Sequence, residues 1–196
     1  MNQRQLLGGW SEPRPLTKRD RKIFEEAFGD IVGALYIPKL VTTQVVNGTN
    51  YAFFCSVELL APTPNNGFAL ATAHEALPRR GRDIGKVNKI DIQTYGLMPS
   101  GKFGGWSDAE VLTPHEVDVF ERAFEGFTGV RYTPCLVSAQ IVSGKNYRYF
   151  CIAESETSPP RMGLAIVSIY ETFPKNYCEI SEVRITNIET FGLFEN

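Results

Sequence analysis

Four cysteines and two histidines are the residues of this chain whose types could carry covalent chemistry: Cys55, Cys135, Cys151, Cys178, His74 and His115. A thiolate activated by an imidazole, itself oriented by a third group, makes a nucleophilic site. Cys and His at short regular spacing make a zinc site, and no such spacing occurs here. The chain supplies its own test of the first pattern. With Gly8-Gly9-Trp10-Ser11 laid on Gly104-Gly105-Trp106-Ser107, one register runs to the end without a gap, so two homologous units fill the sequence. In that register Cys55 falls on Cys151, but His74 falls on Tyr170 and His115 on Arg19. No thiol–imidazole set recurs, and we expect no enzyme, no metal and no cofactor. Cys135 and Cys178 belong to the same unit and could pair in principle, which spacing alone does not decide. The expectation is four reduced thiols acting as small buried hydrophobes.

The chain does offer recognition chemistry. Thr43-Gln44-Val45-Val46-Asn47-Gly48-Thr49-Asn50-Tyr51 joins a hairpin signal to an apolar tip. Asn-Gly is the strongest short signal for a two-residue type I′ turn, in which both central residues take positive φ, so the turn is expected at Asn47-Gly48. Val46 is then held at a rim where a polar residue is more usual, and an apolar residue at such a tip is either ordinary scatter or part of a contact surface. The second unit repeats it as Gln140-Ile141-Val142-Ser143-Gly144. A second apolar turn follows in each unit, Leu77-Pro78 in one and Phe173-Pro174 in the other.

The elements that must hold these turns are legible from periodicity. Residues 10–15, interrupted by proline, are expected to be extended. Thr17 is an N-cap for a helix whose apolar face is Ile23, Phe24, Ala27, Phe28 and Ile31. In the second unit Thr113-Pro114-His115-Glu116 is a capping box with proline at the first helical position, ahead of Val117, Phe120, Ala123, Phe124 and Phe127. Gly29, Gly33, Gly126 and Gly129 end or weaken the helices. Strand-type runs follow at about 36–46, 49–60, 67–76 and 84–94. In an up-and-down sheet alternate turns lie at one end, so the Asn47-Gly48 and Leu77-Pro78 turns should be neighbours. The reading is an α+β chain of two units, 1–97 and 98–196, each with one helix packed on a four- to five-stranded antiparallel sheet, joined through Met98-Pro99-Ser100-Gly101-Lys102-Phe103.

At 196 residues and 43% hydrophobic content, the chain can bury a modest core in each unit. A formal charge of −2 gives no electrostatic case for nucleic acid or an anionic membrane. The run Lys18-Arg19-Asp20-Arg21-Lys22 reads as a solvated helix face, and Arg79, Arg80 and Arg82 as solvated surface. No segment approaches the roughly 18 apolar residues of a membrane span, and MNQRQLLGGW has no hydrophobic core of signal-peptide type. The expectation is a soluble protein, cytoplasmic as written or secreted if a signal precedes this numbering. Asn47-Gly48-Thr49 fits the N-glycosylation pattern, which matters only in a secreted chain.

Gly-Gly, a helix, Q-x-V-x-G-x-N-Y and an apolar-Pro turn, in that order, resemble the cystatins; GGWSEPRPLT with QVVNGTNY is most similar to the disulfide-free stefin type. The resemblance covers both units almost completely. Departures are a shorter stretch between the glycine pair and Gln44 than in animal stefins, a longer loop at 62–67, Ile141 and Ser143 at variable motif positions, and Phe173 in place of leucine. It implies a tandem inhibitor of papain-like cysteine proteases, one or two per chain. In each unit an apolar wedge would enter the protease cleft without presenting a cleavable bond. One wedge would be Gly8, Gly9, Gln44, Val45, Val46, Asn47, Gly48, Leu77 and Pro78. The other would be Gly104, Gly105, Gln140, Ile141, Val142, Ser143, Gly144, Phe173 and Pro174. Leu6 and Leu7, or Phe103, would fill neighbouring subsites. The alternative is a non-inhibitory module of the same fold that binds or scaffolds other proteins. A tether ahead of the second wedge, against a free arm ahead of the first, would make the first site the tighter one.

Overall fold

The structure, a computed structural model, describes residues 9–63, 65–79, 81, 84–100, 104–158, 160–174 and 180–193. Leu6, Leu7, Gly8, Arg80, Arg82, Gly101, Lys102, Phe103 and Cys178 lie outside them. In order come β1 (Arg14–Pro15), α1 (Lys18–Phe28), β2 (Ala34–Val46), β3 (Gly48–Leu59), β4 (Asn65–Glu75) and β5 (Val87–Pro99). Then follow α2 (Pro114–Ala123), β6 (Val130–Val142), β7 (Gly144–Ser155), β8 (Met162–Glu171) and β9 (Val183–Leu193). Strands β1 to β5 form one antiparallel sheet in that order, and β6 to β9 a second.

Local chemistry sets these elements. Thr17 caps α1 and Thr113 caps α2, each in a reciprocal box with the acid three residues on, Asp20 or Glu116. Arg14 grips Asp20 through two hydrogen bonds of 2.6 and 3.1 Å, which fastens β1 to the start of α1. The segment before β1 is extended, as its prolines require. Trp10 bridges to Gln44, and the Ser11 amide donates to the Thr43 carbonyl at 2.8 Å. β5 runs later than the sequence pattern indicates, from Val87 through Met98 and Pro99, which pair with Asn66 and Asn65. The first two residues of the expected linker are therefore strand. Two register shifts against β4 and an exposed outer face blur its alternation.

The expectation of an α+β chain made of two helix-on-sheet units is overturned. Among the described residues antiparallel strand predominates, nine strands in sheets of five and four against two helices, and the core does not divide at mid-chain. Ile23, Phe24 and Phe28 of α1 pack on Val41, Phe53, Cys55 and Ala71, while Val119 and Phe120 of α2 pack on Val137, Tyr149, Cys151 and Val167. A third cluster joins the halves: Phe54, Phe68 and Leu70 against Leu136, Phe150 and Ile166. The reason lies in β3, β4, β7 and β8, whose residues are apolar on both faces. Tyr51, Phe53 and Cys55 point to α1, and Ala52 and Phe54 to the other sheet. A solvated face would need polar alternation, and these strands lack it. The result is four layers, helix, sheet, sheet, helix.

Matching residues of the two halves meet at the centre. Phe54 and Phe150 are 5.8 Å apart between ring centroids, and Tyr95 and Phe191 4.9 Å. Where Ala52 stands in the first half, the second has Arg148, whose guanidinium donates to the Gly96 carbonyl at 2.5 Å and lies over the Trp106 ring at 5.6 Å. Burial lowers the pKa of Arg148, with Glu189 opposing. Lys39 pairs with Glu110 at 2.5 Å, and Asn66 donates to Asp108, at the same seam. No helix among the described residues is long and apolar enough to cross a membrane.

Candidate functional site

The first turn is tighter than the expected type I′ form. The ladder of β2 and β3 continues through Gln44 with Asn50, Val45 with Thr49 and Val46 with Gly48, leaving Asn47 alone at the apex. Among the described residues only glycines have positive φ, so Asn47 does not take the conformation that a type I′ turn requires, and Gly48, at φ +116°, carries the unusual geometry. Glycine is also required here by contact. A Cβ at Gly48 would run into the Glu75 carbonyl oxygen and stand 2.9 Å from the His74 ring; at Gly144 it would stand 2.5 Å from the Glu171 carbonyl. Gly48→Ala should therefore cost about 1–3 kcal/mol of stability and displace the tip, and denaturant unfolding of the variant would read the loss.

Other motif residues brace the turn. The Asn50 amide donates to the Gln44 side chain at 2.9 Å, and Asn146 to Gln140 at 3.0 Å. Gln140 also donates to the Gly104 carbonyl at 2.7 Å, so the first turn of the second half is tied to its glycine segment. In the first half Gly9 precedes Trp10, which bridges to Gln44. The second turn lies beyond Glu75, where the Ala76 amide bonds the Lys86 carbonyl at 3.0 Å and closes the loop; Leu77 and Pro78 follow at once. In the second half the Thr172 amide bonds Glu182 at 3.0 Å ahead of Phe173 and Pro174.

The register thus brings glycine segment, first turn and second turn to one end of each sheet. The tips do not cap the core: Val46 is 42% exposed and Leu77 66%, Val142 40% and Phe173 51%. Val45 and Ile141 are exposed as well. Of the expected wedge residues only Gly8 lies outside the described part. Trp10 and Trp106 sit inboard, Trp10 against the cluster between the sheets and Trp106 under Arg148.

The two ends face away from each other. Trp10 and Pro13, beside the first contact end, share a cleft of about 360 Å3 with Arg131, Glu154 and Met162 of the second half. Those three residues mark the far end of the second sheet from Val142. Gly144 and Glu154 lie on the same strand, so at about 3.3 Å per residue that separation is roughly 30 Å.

The residues that sequence reading left unused are Glu75 and Glu171, buried at the roots of the second turns. They fall on each other in the internal repeat, which is the signal that could have found them. The thiols show no activating environment. Cys55, Cys135 and Cys151 are free and buried; burial pushes Cys135 up to about 12 and raises Cys55 and Cys151 well above the ordinary thiol value. With the folded chain near neutral pH, a thiol reagent should leave these three unlabelled until denaturant is added. Early labelling of any of them, located by peptide mapping, would contradict this. Among the described residues no group of three or more His, Cys, Asp or Glu could hold a metal ion. Neither a scan of protein-family models nor a search of curated proteins finds a match for the chain.

Proposed function

We propose that the chain is a reversible, competitive inhibitor of papain-like cysteine proteases that carries a contact wedge in each half. The observation that carries this reading is the pairing, made twice, of two exposed apolar turns with a glycine segment at one end of a sheet. Val46 and Leu77, or Val142 and Phe173, are apolar side chains with few rotatable bonds at the turns. Such anchors lose little entropy on binding, which lets a few residues supply most of an interface's energy. Glycine beside them lets the backbone approach a partner surface closely. Inhibition needs no bond made or broken by the chain, which accords with its buried thiols.

The separation of the two ends supports simultaneous occupation by two proteases. Ahead of the second site the Trp106 amide bonds the Pro99 carbonyl at 3.4 Å, which ties that glycine segment to the end of β5. That supports weaker binding there than at the first site. The deciding experiment is a titration of active-site-counted papain with the full chain. Two proteases inhibited per chain, with competitive kinetics, is the expected result. No inhibition by the folded chain, of papain or of a second protease of that class, would overturn the reading in favour of a binding module without inhibitory activity.

A further inference from the structure

We propose that Glu75 and Glu171 are positioning residues for the two wedges, each carboxylate fixing the spacing between the first turn and the second turn of its half. This rests on the inhibitory reading above. Glu75 ends β4 and is almost fully buried, yet it reaches three separate elements. Oε1 accepts from the Gly85 amide at 2.8 Å, at the return of the second loop, and from Arg19 of α1 at 2.6 Å. Oε2 accepts from the Tyr51 hydroxyl at 2.9 Å, three residues past Gly48. The carbonyl of the same residue is the atom against which Gly48 lies. One residue therefore touches the first turn with its backbone and the neck of the second with its side chain.

Glu171 repeats the arrangement with different partners. Oε1 accepts from Ser181 at 2.6 Å, and Oε2 from Tyr147 at 2.8 Å; His115 Nε2 stands 3.2 Å from Oε2. Its carbonyl faces Gly144. Burial pushes the Glu171 carboxyl up, but the bonds from Ser181 and Tyr147 and the adjacent His115 outweigh it and hold the group below its ordinary value. The helix partner differs in kind. Arg19 keeps its charge at every working pH, whereas an imidazole is the side chain whose charge changes between about pH 5 and 8. Near Glu171 among the described residues are Lys145 and Tyr147 of β7, Glu116 of α2 through Tyr147, and Arg122 through its bonds to Ser181. Among the described residues His115 is the imidazole at this carboxylate, and it forms an ion pair there when protonated. Protonated His115 strengthens its contact with the carboxylate, so the second wedge is better held in acid.

The test uses the full chain with one wedge silenced at a time, Val142→Asp to read the first site and Val46→Asp to read the second. Inhibition of papain is compared at about pH 5.5 and about pH 7.5. The ratio of the second site's constant to that of the same site in a His115→Arg chain cancels the protease's own pH profile and leaves out His74, which lies against the first turn and bonds Asn50 at 2.9 Å. We expect the second site to weaken relative to that variant as pH rises, the variant keeping inhibition. Glu171→Gln should weaken the second site about tenfold and leave the first unchanged, and Glu75→Gln the reverse. Amide exchange, followed without protease, reads the clamp by itself: in Glu171→Gln, the amides of Gly144, Thr172 and Phe173 should exchange faster while the centres of β7 and β8 do not. A pH-independent ratio, or a Glu171→Gln chain that inhibits as wild type, would overturn the proposal. So would exchange that is unchanged or raised throughout the half. Local exchange changes in a chain that never inhibits would overturn the inhibitory reading and leave the clamp standing.

Discussion

Papain titrated with Val46→Asp is expected to be inhibited at one equivalent per chain instead of two, and Val142→Asp is expected to do the same from the other end. An aspartate at either tip must lose its water to enter an apolar cleft and finds no assigned partner there. Burying an unpaired carboxylate costs several kcal/mol, so the altered site should weaken by roughly 100-fold or more. The fold should not be affected, because both valines project from the ends of strands and are partly exposed. Far-ultraviolet circular dichroism and an unchanged melting temperature would show this. The double variant should not inhibit at all. Two equivalents retained by either single variant would remove the first turn from the contact surface.

The second large effect concerns stability. Phe150 is fully buried between the sheets, with ring centroids 5.8 Å from Phe54, 5.3 Å from Phe68 and 5.3 Å from Tyr95. Phe150→Ala removes the side chain that all three rings pack on, and the surrounding strands are too regular to collapse into the space. The expected loss is about 3–5 kcal/mol. For a chain of this size that lowers the melting temperature by about 10 °C. Calorimetry should also show the calorimetric enthalpy exceeding the van't Hoff value, because the halves unfold less cooperatively once their shared core is weakened. A variant that melts like wild type would mean that the sheets do not share a core in solution.

Much of the local structure was readable from residue types. The Thr17 and Thr113 caps, the apolar face of α1 and the strand-type runs follow from residue types and periods that each element imposes, whereas on α2 Val119 is buried and the expected Val117 is exposed. The placement of Gly9, Val46 and Leu77 at one end follows from strand order. The packing of sheet on sheet did not follow, although its signal was present in Tyr51-Ala52-Phe53-Phe54-Cys55 and in Gly163-Leu164-Ala165-Ile166-Val167, runs with no polar face to give to water. A strand assignment satisfies such a run equally well with one face buried or two, and only a partner surface distinguishes them. The turn at Asn47 was misread for a different reason. Asn-Gly favours type I′ locally, but the adjacent Glu75 carbonyl and the ladder pairing Val46 with Gly48 set the geometry. Glu75 and Glu171 were visible as matched positions, but a carboxylate's role depends on groups distant in sequence, Arg19 or His115, that only the fold brings near. Arg148 gave no signal, since its matching residue is alanine.

The meeting of Phe54 with Phe150 and of Tyr95 with Phe191 has the geometry of a two-fold dimer interface, with equivalent residues touching about an axis. Here the two partners share one polypeptide. A dimer held by such a face would come apart on dilution, and its two faces, being encoded once, could never differ. Covalent continuity makes the pairing independent of concentration, since each face meets the other at the high effective concentration set by a short connection. It also frees each face to change separately, as Arg148 opposite Gly96 illustrates. The two contact ends therefore travel as a fixed pair at any abundance, and each can drift toward its own target.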